Sequence, residues 1–183
     1  MSKKILITGG PGTGKTELIN KLISQGYTCF EEKSREITLS YKTKGIDQLF
    51  LSKPLLFSEL LLESRISQYI ESKSTKVDYV FFDRGIPDVV AYLNFKKTKY
   101  EEKFLNACIN HKYDIVFMLR PWVEIFTNDK ERYESFEELV EIDKYLYKTY
   151  TKLNYKVIEI PKSTIDERVS FIVQFINNNN KSC

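Results

Sequence analysis

Residues 9–16 read GGPGTGKT, which places Gly9, Gly14, Lys15 and Thr16 at the spacing G-x-x-x-x-G-K-[ST]. Glycines at that spacing let the backbone curl so that several N–H groups point inward at phosphate oxygens. A helix opening directly after the loop adds its positive N-terminal end. Lys15 is then expected to reach the β- and γ-phosphates of a nucleotide, and the Thr16 hydroxyl to ligate Mg²⁺. Gly10, Gly12, Thr13 and Gly14, with Lys15 and Thr16, are the expected cradle, and ATP with Mg²⁺ is the ligand that this chemistry suits.

A second stretch, FFDRGIPD at 81–88, ends an apolar run with an acid and an arginine side by side. Alone, the acid reads as a turn residue and the arginine as a solvated one. Beside a phosphate loop the pair acquires a use. Strands next to such loops end in an acid that helps hold Mg²⁺, which makes Asp83 a metal-site candidate with Thr16. Arg84 is expected to neutralise the transferring phosphate or the acceptor, because a loose phosphoryl-transfer transition state needs cations. Asp88 falls in the first turn of the next helix, where a negative charge is favourable in itself; a contact to the acceptor or the metal is its second expected role.

Both stretches need strands and helices to position them. Five short apolar runs have strand length: Ile5–Thr8, Tyr27–Phe30, Tyr79–Phe82, Ile115–Leu119 and Val157–Ile160. Helical patterns fill the intervals at Thr16–Ser24, Pro54–Glu71, Pro87–Phe95, Glu101–Asn110, Phe136–Leu153 and Ile165–Ile176. Such alternation predicts an α/β fold with a parallel five-stranded sheet and helices on both faces. A single domain is expected over 1–176, with a polar, frayed tail at 177–183.

Composition narrows the function classes. The 183 residues are 42% hydrophobic and 29% charged, with a net charge of +3. That balance is ordinary for a globular chain and too mild to argue for a nucleic-acid or membrane surface. Cys29, Cys108 and Cys183 are odd in number and widely spaced, against a disulfide framework or zinc site and in favour of a reducing, cytoplasmic setting. No signal peptide or spanning helix is expected from the apolar runs. The single histidine, His111, reads as a surface loop residue without chemistry. The sequence is silent on oligomeric state.

Among phosphate-loop proteins, several classes fit poorly. A signalling GTPase would carry glycine where Ile86 stands, and NDKE at 128–131 is not a guanine-reading N-K-x-D. A ring-forming motor would need more chain after the fifth strand. A small-molecule kinase needs an acceptor-binding insertion and a lid. The interval 37–77 offers the first, and 121–135 the second, with Lys130 and Arg132 able to close over phosphates.

The combination ITGGPGTGKTELI, EEKSREI, VFFDRGIPDVVAYL, VFMLRPW, DKERYESFEE and VIEIP…DERVSFI resembles a family of small P-loop proteins labelled AAA-type ATPases or kinases. That family is in turn similar to the kinase domain of nicotinamide riboside kinases. The resemblance covers about residues 4–176 and implies a kinase-like sheet of strand order 2-3-1-4-5. It also implies roles for Glu32 and Arg35, at the end of the second strand, as a carboxylate base and an acceptor-binding arginine. Arg65, inside the insertion, faces either an acceptor phosphate or solvent. The resulting expectation is an ATP-dependent phosphotransferase acting on a small hydroxylated, nucleoside-like acceptor. Its catalytic set is Lys15, Asp83, Arg84, Arg132 and Glu32, and its substrate set Glu32, Arg35, Arg84 and Asp88. The alternatives are a regulatory ATPase acting through a protein partner, or a nucleotide-binding module without turnover.

Overall fold

The computed structural model describes residues 2–46, 48–126 and 135–180. Five strands form one parallel sheet: β1 Lys3–Gly9, β2 Thr28–Phe30, β3 Tyr79–Asp83, β4 Ile115–Leu119 and β5 Val157–Ile160, in the order β2-β3-β1-β4-β5. Around them pack α1 Lys15–Ser24, α2 Ser34–Lys42, α3 Leu49–Ser52, α4 Pro54–Glu71, α5 Ile86–Phe95, α6 Lys103–Asn110, α7 Phe136–Lys152 and α8 Ile165–Asn180. This is the P-loop kinase-type sheet with helices on both faces, in the strand order expected.

Alternation along the strands divides the core in two. Ile5 and Ile7 of β1, Phe81 of β3, and Phe117 and Leu119 of β4 point to one face, where Leu18, Ile19 and Leu22 of α1 and Val169, Ile172 and Ile176 of α8 cover them. Leu6, Val80, Phe82, Val116 and Met118 point to the other, against Tyr69 of α4, Ala91 of α5, and Ile142, Leu146 and Tyr150 of α7. A period of two in side-chain direction makes both faces apolar, so the strands read as continuous hydrophobic runs.

The chain winds away from β1 in both directions, toward β3 and β2 on one side and β4 and β5 on the other. That reversal opens a crevice at the carboxyl end of β1, the place where open parallel sheets hold ligands. Parallel register sets Ile7 opposite Asp83 and Gly9 opposite Leu119, so the glycine-rich loop leaves β1 beside the end of β3.

Three local details differ from expectation. The final helix runs to Asn180, so residues 177–180, expected to fray, are helical. The interval after β2 folds as α2, α3 and α4, with α2 starting at Ser34 and burying no residue. His111 is half-buried at the end of α6, its Nδ1 2.8 Å from the Ala107 carbonyl and its ring edge-on to Tyr69. It is part of the packing, not a surface loop residue.

Candidate active site

The loop between β1 and α1 is shaped by glycine where no other residue fits. A Cβ on Gly9 would stand 2.5 Å from the Leu119 carbonyl oxygen of the neighbouring strand. Gly14 caps α1 in the left-handed region at φ 84°, where side chains are disfavoured. Lys15 follows as the first residue of α1. Its Nζ is folded onto the loop, donating to the Gly10 carbonyl at 2.6 Å and lying 3.4 Å from Thr13 Oγ1. Burial, aided by the Arg84 charge and opposed by Asp83, Asp88 and Glu32, lowers the Lys15 ammonium to about 7. Thr16 is exposed at the start of α1, beside this cradle.

Asp83 closes β3 and is only 8% exposed. Its Oδ1 is buried without a hydrogen-bond partner among the described residues. Burial raises its carboxyl against the pull of Lys15 and Arg84. A buried carboxylate oxygen left unpaired next to a phosphate-loop lysine is a group in need of a cation. With the Thr16 hydroxyl it would offer two hard oxygen ligands of the kind Mg²⁺ takes, an ion that keeps waters and substrate phosphates as its remaining ligands. Among the described residues no cluster of three or more His, Cys, Asp or Glu offers an all-protein cage. The residues present therefore fit Mg²⁺ held jointly with a nucleotide.

Arg84 sits at φ 69°, a left-handed pose uncommon for a non-glycine residue. Its backbone N–H still donates to Ile7 O at 2.9 Å, prolonging the ladder to β1 by one bond. The side chain turns back over the loop. Nη1 donates to the Gly9 carbonyl at 3.1 Å and to Asp88 Oδ1 at 3.3 Å, and the guanidinium lies 5.8 Å from the Tyr92 ring centre. Burial opposes its charge, but Tyr92, Asp88, Glu32 and Asp83 outweigh it and hold Arg84 protonated. Gly85 next to it is required by packing: a Cβ there would lie 2.8 Å from a Leu6 methyl and 3.0 Å from the Tyr113 ring.

Across the crevice Glu32 follows β2. It is 18% exposed and anchored by the start of α2. Ser34 N–H donates to Oε1 at 2.9 Å and the Ser34 hydroxyl to Oε2. Burial raises its carboxyl, but Arg84, Arg65 and the Ser34 bonds overcome that and hold it below the ordinary glutamate range. Arg65 of α4, 6% exposed, lies 3.7 Å from Glu32 Oε1 and donates to the Gly85 carbonyl at 2.6 Å. It is turned inward, away from bulk solvent. It ties the insertion to the ends of β2 and β3.

The remaining candidates separate. Asp88 is 1% exposed, and protein donors take both its oxygens: Thr8 Oγ1 at 2.7 Å and Arg84 on Oδ1, the Gly85 N–H at 3.0 Å and the Tyr150 hydroxyl on Oδ2. The acceptor or metal contact expected of Asp88 gives way to an internal one. Arg35 is exposed in the first turn of α2. Arg132 lies outside the described residues, as does most of the 121–135 segment expected to form a lid.

Of two further arginines, Arg65 was left open between acceptor and solvent at the sequence level, and Arg168 was missed. Arg65 stands on the stripe of α4 that carries Leu61, Leu62 and Tyr69, so its spacing marks an inward-facing cation. Arg168 shares a face of α8 with Ile172 and is almost wholly buried. Its Nη1 donates to the Thr13 carbonyl at 3.3 Å, and its guanidinium stacks 4.8 Å from the Trp122 ring centre, bracing the phosphate loop from behind α1.

Fold and site together define a P-loop protein of the kinase type: a glycine-shaped phosphate cradle, its lysine, a buried strand-end acid and an adjoining arginine on a 2-3-1-4-5 sheet. The chain belongs to the AAA domain family, whose model matches residues 4–168. No curated protein matches the sequence. Solved structures share the fold at low identity. A thymidylate kinase from Candida albicans aligns at a TM-score of 0.70 and 18% identity, over 98% of this chain and 92% of that one. The deoxyadenosine kinase from M. mycoides with bound dATP aligns at 0.60 and 17%, over 95% and 99%. A thymidylate kinase from Ehrlichia chaffeensis aligns at 0.60 and 18%, over 96% and 98%.

Proposed function

We propose that this protein transfers the γ-phosphate of ATP to a hydroxyl of a small, nucleoside-like acceptor. The observation that carries the reading is a largely buried carboxylate, Glu32, after the end of β2, which the Arg84 and Arg65 charges hold below its ordinary range. The loop amides and Lys15 bind the β- and γ-phosphates. Thr16 and Asp83 would hold Mg²⁺, which would supply charge neutralisation on the transferring group and leaving oxygen. Arg84 stands over the loop, where it draws charge from the equatorial oxygens of the moving phosphoryl group. Glu32 accepts a hydrogen bond from the attacking hydroxyl, orients it, and takes its proton as the new P–O bond forms and the bond to ADP breaks. Arg35 adds a contact to the sugar or phosphate, and Arg132 a further cation. The segment 37–77 forms the acceptor side and 121–135 the lid. A cytoplasmic setting accords with this chemistry, and among the described residues no helix is long and apolar enough to cross a membrane. The described cysteines are free thiols, Cys29 and Cys108, both pushed up to about 12 by burial and so poorly nucleophilic.

The reading is tested by offering nucleosides, nicotinamide riboside and nucleoside monophosphates with Mg·ATP and detecting phosphorylated products by mass spectrometry. A phosphorylated nucleoside supports it. ATP consumption that rises only with an added protein would replace it with a regulatory ATPase, and ATP binding without any turnover with a binding module.

A further inference from the structure

Asp88 uses more of its bonding capacity than a helix start requires. Asp88 is the third residue of α5, and accepting the N–H of the N-cap Gly85, as it does, is all a capping box asks of that position; a neutral Gln serves there. Here a buried carboxylate, held ionised because Arg65, Arg84, Tyr150 and the Gly85 N–H outweigh its burial, collects donors from three directions. Thr8 belongs to β1 and immediately precedes Gly9, whose carbonyl takes the other bond of Arg84 Nη1. Gly85 is the residue after Arg84, and its N–H bond to Asp88 fixes the peptide that follows the left-handed turn. Tyr150 comes from α7, which packs beside α5 on the same face of the sheet, and its ring is fully buried among Leu146, Tyr155 and Ile142. Asp88 thus bridges the strand that carries the phosphate loop, the strand end that carries Arg84, and α7.

A long guanidinium next to a water-filled crevice ordinarily turns outward. Arg84 does not: it is gripped at one terminal nitrogen, between Gly9 O and Asp88 Oδ1. We infer that Asp88 is a positioning residue, which sets the Arg84 guanidinium over the phosphate loop and couples that arginine to α7 through the Tyr150 hydroxyl. The inference rests on the reading of Arg84 as a contact to the γ-phosphate.

The test uses the whole chain with Mg²⁺ and two nucleotides, ADP and the hydrolysis-resistant ATP analogue AMP-PNP, so that no acceptor is needed. Calorimetry gives the ratio of their affinities, which isolates the γ-phosphate contribution. Asp88→Asn is expected to lower the AMP-PNP preference by about tenfold, the scale of one charge-assisted hydrogen bond. Tyr150→Phe removes one hydroxyl without changing shape, and is expected to lower it by about threefold. In an Arg84→Ala background neither change should lower it further, because Asp88 acts through Arg84. A lowered melting temperature with a wild-type ratio overturns the inference, as does strict additivity with Arg84→Ala. If Arg84→Ala itself leaves the ratio unchanged, the γ-phosphate reading of Arg84 falls and takes this inference with it. Should Asp88→Asn not fold, Tyr150→Phe decides: a reduced ratio supports the positioning role and an unchanged ratio rejects it.

Discussion

Arg65 joins Glu32 to Gly85, reaching the carboxylate at 3.7 Å with one nitrogen and the carbonyl oxygen at 2.6 Å with the other. One buried guanidinium therefore links the end of β2 to the turn after β3, and does so from the helix inserted between those strands. Removing it leaves a half-buried carboxylate short of a partner and a carbonyl without its donor. Arg65→Leu is expected to lower stability by about 3 kcal/mol, the scale for breaking one side of a buried pair. The pH dependence has a definite sign. Arg84, Arg65 and Ser34 hold Glu32 below its ordinary range against its burial. Its contribution is therefore present at neutral pH and lost as pH falls through the lowered folded value. Without Arg65 the folded value moves back toward the unfolded one, so the contribution is smaller and is fully lost at a higher pH. Urea denaturation across the acid range measures both effects, and a parallel displacement with no change of shape would speak against the ion pair.

Lys15 makes nucleotide binding a proton-linked event. Burial and the Arg84 charge lower its ammonium to about 7 in the free protein, and phosphates arriving on Nζ raise it again. Near pH 8 most Lys15 side chains are neutral before binding and charged after it, so binding takes up nearly one proton. Near pH 6 most are already charged, and uptake fades. Titrations in buffers of different ionisation enthalpy read this number directly. The wild-type value minus that of Lys15→Met isolates the lysine from the titration of ATP itself, and a difference of zero at pH 8 would refute the linkage. Lys15→Met also removes a transition-state contact and should lower turnover by a hundredfold or more.

The local signals in the sequence carried most of this arrangement. The glycine spacing at 9–14 and the two apolar strand ends suffice to bring Lys15, Asp83 and Arg84 together, because parallel register sets Ile7 against Asp83. What sequence does not disclose is direction. Asp88 is legible as a first-turn acid, but whether it faces water or the core depends on how α5 packs against β1 and α7. Arg65 and Arg168 sit on apolar stripes, where a charge reads as an interruption until the backbone carbonyls they satisfy, Gly85 and Thr13, are known.

Asp83 is placed where function and stability oppose each other. Its carboxyl is raised by burial, and its Oδ1 makes no hydrogen bond among the described residues. A carboxyl raised in the folded state favours folding most below its unfolded value, and that contribution is lost as pH rises through the folded one. At neutral pH the ionised group is thus a burden on the nucleotide-free fold. Asp83→Asn should therefore keep or raise the melting temperature at pH 7, while turnover falls by roughly a hundredfold and the Mg²⁺ needed for half-maximal nucleotide binding rises. A fall in melting temperature with unchanged Mg²⁺ dependence would return Asp83 to a purely structural place.

The proposal of a hydroxyl acceptor rests on which charges are already engaged. Arg84 is held by Gly9 and Asp88, and Arg65 by Gly85 and Glu32. Glu32 itself is ionised in the range where the protein would work. A monophosphate acceptor would bring two further negative charges against that carboxylate and would have to draw a guanidinium away from a buried carbonyl. A hydroxyl acceptor needs neither. It donates to Glu32, which gains a proton as phosphate arrives and, with a lowered pKa, acts mainly by orienting the hydroxyl and balancing its developing charge. Glu32→Gln should accordingly depress kcat by about a hundredfold or more with little change in ATP affinity. Nucleosides should be phosphorylated in preference to nucleoside monophosphates. The measurement is a parallel assay of both acceptor classes with wild type and Glu32→Gln. Phosphorylation of monophosphates alone, with Glu32→Gln fully active, would assign Arg65 or Arg35 to an acceptor phosphate and remove Glu32 from the chemistry, while leaving the phosphate loop, Asp83 and Arg84 in their places.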